Sequence, residues 1–253
     1  MTDTAQPAKT MRSLERALEV LEVLERSRKP LRLTDVAREV GLHIATAQRI
    51  LSVLERYGYV AHERGGFTIG VTPLANAHAY LVTSSLPQVA GPVLRELAEA
   101  TGLTASISVR VDLKRVLIAR IDGAVPLRYQ LPVGQRLPIH LGAGRAVAAL
   151  LNEEELQQLI TEVVPFRLGN GKRVDEAQFR RSLEQVRRHG YAKSESERVP
   201  GAASLGMAIL DSENELIAML QIGGHVEHVD PAQTGRYVDE LGRAALTIKH
   251  MLA

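Results

Sequence analysis

The chain has 253 residues, 45% of them hydrophobic, no cysteine and a formal net charge of +2. That length exceeds a single small module of roughly 60–90 residues and predicts at least two domains, while the missing cysteine excludes disulfides, thiol nucleophiles and thiolate-bound metal. No apolar run approaches the roughly 18 residues that cross a bilayer, and the N-terminus lacks a secretory segment, so the expectation is a cytoplasmic protein with no membrane partner.

Residues 1–12 are small, polar and unpatterned and read as a disordered tail. From Ser13, taken as an N-cap, Leu14, Ala17, Leu18, Leu21 and Leu24 recur at helical spacing and form a first helix. Lys29-Pro30 ends it, and Thr34 is the expected cap of a second helix carrying Val36, Ala37 and Val40. Gly41 comes directly after, suited to the left-handed backbone that stops a helix.

A third helix restarts within a few residues. Ala47, Ile50, Leu51 and Leu54 fall on one side, with Ala45, Gln48, Arg49, Ser52 and Arg56 on the other. Small residues allow close approach to a groove, and Gln and Arg suit the base edges of adenine and guanine. An amphipathic surface helix shows the same division without binding anything. The adjoining segment favours DNA: Tyr59 to Ile69 reads as strand, Gly65-Gly66 turn, strand, which completes a winged helix over residues 13–71. Arg64 stands near the wing tip, where a cation reaches a phosphate or the minor groove. Lys9, Arg12 and Arg16 add local basic surface; the near-neutral net charge is no argument, because local cations release counterions.

Residues 72–86 read as an Ala-rich linker helix, broken by Ser84, Ser85 and Pro87, whose apolar side chains could meet a partner subunit or their own domain. A second domain, 87–253, opens with a helix over 88–101 stopped by Gly102. Strands are expected at 104–111, 115–121 and 127–131, and Gly142-Ala143-Gly144-Arg145 opens a helix through Leu151. Two further helices are announced by Asn152 with Glu155 and by Asp175 with Gln178, the capping-box spacing. Strands at 191–195, 204–210 and 215–222 come next, and Asp230-Pro231 starts a last helix with Val238, Leu241, Ala244, Ala245 and Ile248 inward. The pattern is α+β, with an antiparallel sheet and helices before, between and after its strands.

No catalytic constellation emerges. Gly142-Ala143-Gly144-Arg145 lacks P-loop spacing, no G-x-S-x-G elbow occurs, and Glu195 with Glu197 reads as a polar loop before a carboxylate pair. His225 and His228 are three apart beside Asp230, but Gly223-Gly224 and Pro231 place them in a loop, so neither a metal nor a cofactor is expected. A binding pocket asks for less: Gly142 and Ala143 offer free backbone N–H groups at a loop-to-helix junction, near Ser204 and the strand around Gln221 and Gly223.

From about Ser13 the chain resembles the IclR family of bacterial transcriptional regulators. The resemblance rests on SLERALEVL at 13–21, LTDVAREVGL at 33–42, TAQRIL at 46–51, LERYGYV at 54–60, VGQRLP at 133–138, and RRHGYA with a later E-x-x-x-G at 197–201. It implies a winged helix-turn-helix joined to a C-terminal GAF-like α/β effector-binding domain, without catalytic activity, acting as a homodimer or tetramer on double-stranded operator DNA of catabolic genes. The DNA-contacting positions it implies are His43, Ile44, Ala45, Thr46, Gln48, Arg49, Ser52, Arg56 and Arg64. The effector, a small carboxylate or aromatic catabolite, falls on Gly142, Ala143, Glu195, Ser204, Gln221 and Gly223. The alternative is a GAF-like hydrolase that carries the winged helix as an interaction module.

The chain departs from the family pattern in four places. His43-Ile44-Ala45 replaces a common Pro-Lys-Ser, which implies an operator unlike the family's average; residues 140–145 are one residue short; Gln221 and Gly223 replace small hydroxyl residues; and Phe166-Arg167-Leu168-Gly169 replaces a Thr-rich segment.

Overall fold

In the computed structural model, which describes residues 11–124 and 131–252, the chain divides into two units, Met1–Thr83 and Ser84–Ala253. Most of the tail expected at 1–12 and of the strand expected at 127–131 lies outside the described residues.

The first unit consists of helices α1 (Arg12–Arg26), α2 (Leu33–Val40) and α3 (Ile44–Arg56), the hairpin β1 (Val60–Glu63) and β2 (Gly66–Ile69), and helix α4 (Thr72–Thr83). Gly41 closes α2 in the left-handed conformation, φ 67°, and its N–H returns to Arg38, which turns the chain into α3 at once. Val20 and Leu24 of α1, Val36 and Ala37 of α2, Ala47 and Leu51 of α3, and Val60 and Phe67 of the hairpin close one apolar core. The wing is tied to that core by a second register: Leu31 and Phe67 exchange backbone hydrogen bonds of 2.9 and 2.8 Å.

Three expectations for this unit are corrected. Ser13 and Thr34 are not caps but lie inside their helices, which begin after Met11 and Arg32 without a side-chain cap. The buried stripe of α1 is centred on Val20, Val23 and Leu24, while Leu14 and Leu18 are more than half exposed. Helix α1 is apolar on two adjoining faces, and only one can meet α2 and α3. The linker helix ends at Thr83, and Ser84 and Ser85 start the next helix instead of extending it.

The second unit opens with α5 (Ser85–Thr101), capped by Ser84. Pro87 is tolerated there because the first-turn N–H groups have no intrahelical acceptor to lose. A six-stranded antiparallel sheet comes next in the order β5 (Arg136–Pro138), β4 (Lys114–Ile121), β3 (Thr104–Val111), β10 (Leu216–His225), β9 (Ala202–Leu210), β8 (Ala192–Glu195). One sheet face, with Ala105, Ile107, Leu205, Ile209, Leu220 and Ile222, packs on α5 and on α9 (Thr234–Leu252). The last helix starts later than expected, because Asp230 caps a short 3₁₀ turn, Pro231–Gln233, before it.

Against the other face stand a 3₁₀ turn at Gly142–Gly144 and helices α6 (Arg145–Ala148), α7 (Glu153–Val163) and α8 (Glu176–His189). Helix α6 ends at Ala148, three residues short of the expected Leu151. Both capping boxes form as read: Asn152 accepts the Glu155 N–H at 2.9 Å, and Asp175 accepts the Gln178 N–H at 2.8 Å. A small hairpin, β6 (Phe166–Arg167) with β7 (Arg173–Val174), joins α7 to α8.

Candidate functional site

Each unit carries its own candidate site. In the first, burial of Ala47 and Leu51 turns the opposite side of α3 outward, and the placement results from the 100° step between residues. Ile44, Ala45, Gln48, Arg49, Ser52 and Arg56 are exposed along that side, with exposed His43 leading in and half-buried Thr46 at its edge. Gln48 Nε2 donates to Ser52 Oγ at 3.3 Å, which orders a polar pair one turn apart. Arg12, Ser13 and Arg16 of α1 border the same cleft as Thr46, Arg49 and Ile50, so two further cations flank Arg49. Arg64 is exposed in the turn between β1 and β2. A helix with a free polar and cationic side, three turns long and leading into a wing, is the geometry that enters a major groove.

In the second unit the sheet register gathers polar groups on the face away from α5 and α9. Thr104 and Ser204 both oppose Gly223, Ser106 and Gly206 oppose Gln221, and Ser194 opposes Ser204. Thr104, Ser106, Ser108, Arg115 and Ser194, the buried polar and charged residues among those described, all belong to this face. Paired residues of an antiparallel sheet share a side, so one register choice accounts for the whole group.

A small cavity of about 40 Å³ opens there. Gly142 and Ala143 form one wall, Ser194, Ser204, Gln221 and Gly223 the sheet wall, and Arg115, Glu197 and Arg198 supply charge. Ser194 and Ser204 hydroxyls are 2.9 Å apart. The wall can approach because Gly206 has no side chain: a Cβ there would stand 2.6 Å from that of Ala143.

Five of the six expected pocket residues therefore line one cavity. Glu195 does not. Along β8 burial alternates, which puts Ser194 toward the cavity and Glu195 out to solvent, and the carboxylate in the wall is Glu197, two residues on. Glu197 Oε2 accepts the Gly142 N–H at 3.0 Å, and Oε1 forms an ion pair with Arg145 Nη2, which also donates to the Lys193 carbonyl at 2.7 Å. Burial raises the Glu197 pKa above the ordinary carboxylate value, with Arg145 and the Gly142 amide opposing without cancelling it. Beyond this ion pair lies a second cavity of about 160 Å³, lined by His140, Phe166 and Phe179 and also reached by Glu197. His140 packs edge-on to Phe166 at 4.9 Å between centroids, and burial lowers its pKa to about 4.

Arg115, Ser194, Glu197 and Arg198 were missed in the sequence. Strand alternation from buried Ala192 would have selected Ser194 over Glu195. A cation at the start of the apolar run Val116-Leu117-Ile118 was the available signal for Arg115, which is 3% exposed. Among the described residues no group of three or more His, Cys, Asp or Glu could hold a metal, and His225 and His228 stand 6.3 Å apart between ring centroids.

A winged helix joined to an α/β domain with a polar cavity defines a ligand-linked DNA-binding regulator. The model of the bacterial transcriptional regulator IclR C-terminal domain matches residues 78–250, and that of the IclR helix-turn-helix domain matches residues 13–64. The chain belongs to the IclR family of transcriptional regulators. The transcriptional repressor IclR of Escherichia coli K12 is 30% identical over 257 residues, covering 97% of this chain and 89% of that protein. An IclR transcriptional regulator from Alicyclobacillus acidocaldarius shares the fold with a TM-score of 0.80 at 24% identity, over 96% of this chain and all of the other (100%). So does an IclR homolog from Microbacterium hydrocarbonoxydans solved with 4-hydroxybenzoate, at TM-score 0.72 and 23% identity over 95% and 98% of the two chains. The protein is thus an effector-responsive, DNA-binding transcriptional regulator, and no described helix is long and apolar enough to cross a membrane.

Proposed function

We propose that α3 reads operator DNA through Ala45, Gln48, Arg49 and Ser52, with His43, Ile44, Thr46, Arg56 and Arg64 contributing flanking or backbone contacts. A small-molecule effector in the cavity beside Gly142 and Ser204 alters that binding, and the protein has no catalytic activity. One observation carries the DNA reading: the outward side of α3 presents Gln48 and Arg49 together beside Arg12 and Arg16. The relative solved with 4-hydroxybenzoate supports an effector of organic-acid type. Ile44 and Ala45 suit apolar contact with a thymine methyl where an entry Lys and Ser are missing.

The working unit is a homodimer or tetramer in the cytoplasm. Leu74, Tyr80, Leu81 and Val82 of α4 are all exposed, and α4 has no buried residue, so an apolar helix awaits cover.

A gel-shift assay with the DNA upstream of the adjacent genes tests the reading. Wild-type protein should retard one fragment at nanomolar concentration, and Arg49→Ala should weaken this by about 5–150-fold at fixed salt, equivalent to about 1–3 kcal/mol for one base contact. Unchanged affinity removes Arg49 from the reading side. Turnover of a candidate metabolite, abolished by Ser204→Ala, would instead favour the hydrolase.

A further inference from the structure

Arg115 is a charged side chain buried in the polar sheet face, and its hydrogen bonds go to neutral groups. Its Nη1 donates to Ser108 Oγ at 3.2 Å and its Nη2 to Gln221 Oε1 at 3.1 Å. Its Nε has no hydrogen-bond partner among the described residues and is sealed from solvent. A guanidinium offers five N–H donors in a fixed fork that fits a carboxylate, and a buried unpaired charge costs several kcal/mol. Such a residue calls for an anion that arrives from outside.

The described side chains around it do not supply that anion. Arg115 lines the cavity with Gly142, Ser194, Ser204 and Gln221, and the carboxylate in the same wall, Glu197, is held by Arg145 and the Gly142 N–H. Burial, and after it the positive field of Arg198 in the same wall, lowers the Arg115 pKa to about 9, so the group is still protonated at neutral pH. The cavity is small, about 40 Å³, which suits a compact ligand more than a ring system.

We infer that Arg115 is the charge anchor of the effector site, and that the effector is a small organic acid whose carboxylate receives the Arg115 Nε–H and whose remaining polar atoms meet Ser194, Ser204 and the Gly142–Ala143 wall. The inference rests on the proposed effector role of this cavity. It makes Arg115 a binding residue whose burial is tolerated in the empty protein for the sake of the loaded one. Removing the charge should therefore help the empty fold and destroy ligand recognition.

Thermal melting of the full chain tests this with formate, acetate, lactate, malonate and succinate, each against its neutral amide at matched ionic strength, and with inorganic phosphate as a separate arm. At least one acid should raise the melting temperature by about 3–6 °C once about tenfold above its Kd, while its amide does not. Arg115→Met should melt at or above the empty wild type and lose the response to that acid. No response to any acid, an equal response to the amides, or a response retained in Arg115→Met overturns the proposal. A response to phosphate alone overturns the carboxylate class. Operator binding by gel shift is scored separately: its absence refutes the DNA reading, whereas a regulator that binds operator yet ignores every acid refutes only the anchor.

Discussion

Arg145 and Glu197, 52 residues apart in the chain, form an ion pair whose carboxylate also accepts the Gly142 N–H. The side chains are 12% and 17% exposed, so solvent screens them little. This pair fastens the loop after β8 to the wall that carries Gly142 and Ala143, and it separates the two cavities that share Glu197.

Arg145→Ala leaves Glu197 buried beside a single amide. The expected cost is about 3 kcal/mol, a fall of about 6–12 °C in melting temperature. Glu197 already has a raised pKa, so it binds its proton more tightly folded than unfolded and contributes stability as pH falls. Part of the Arg145→Ala loss should therefore return between about pH 7.5 and 5.5, and Glu197→Gln should remove that recovery. Melting curves of the two single variants and the double variant measure both effects.

His140 titrates in the opposite sense. Its folded pKa of about 4 lies below the ordinary value of 6.5, so the unfolded chain takes up the proton first as pH falls. Stability is full above about pH 6.5 and is lost progressively down to about pH 4, by about 3 kcal/mol at most, at about 1.4 kcal/mol per decade. His140→Phe keeps a ring against Phe166 and removes the proton, so denaturant midpoints across this range should flatten in the variant. An identical slope in both proteins would assign the acid sensitivity to other groups.

Gly206 is expected to tolerate no side chain. An added Cβ meets the Ala143 Cβ at 2.6 Å and its carbonyl oxygen at 2.9 Å, with the sheet behind and the 3₁₀ turn in front. Gly206→Ala should cost about 1–3 kcal/mol, typical of overpacking, and lower the melting temperature by about 2–10 °C. Adding Ala143→Gly should return part of it, a positive coupling that a double-mutant cycle resolves.

The wing is tested by salt. If Arg64 meets one phosphate, Arg64→Ala should reduce the slope of log affinity against log salt concentration by about 0.9 and leave base preference unchanged. A changed preference at one operator position would mean that Arg64 reads a base edge.

Much of the fold was legible in the sequence. Short-range chemistry announces itself: Gly41 must end α2, Asn152-Glu155 and Asp175-Gln178 must cap α7 and α8, and the split of α3 into Ala47/Leu51 and Gln48/Arg49 sides fixes which residues face out. Each depends on contacts within a few residues, so the order of residues suffices. The choice between the two apolar faces of α1, by contrast, was open in the sequence, because it depends on which face α2 and α3 meet.

The pocket was half legible for the same reason. Gly142, Ala143, Ser204, Gln221 and Gly223 were found through local pattern and resemblance, but Arg115 reaches Gln221 from 106 residues away and Glu197 reaches Arg145 from 52. Strand alternation, a two-residue period, moves Glu195 to solvent and Ser194 inward, and only the pairing of β8 with β9 sets its phase. The sequence by itself determined the elements, the reading helix and the family. Tertiary structure alone decided which charges share a wall, because sheet register brings together residues that no spacing along the chain relates.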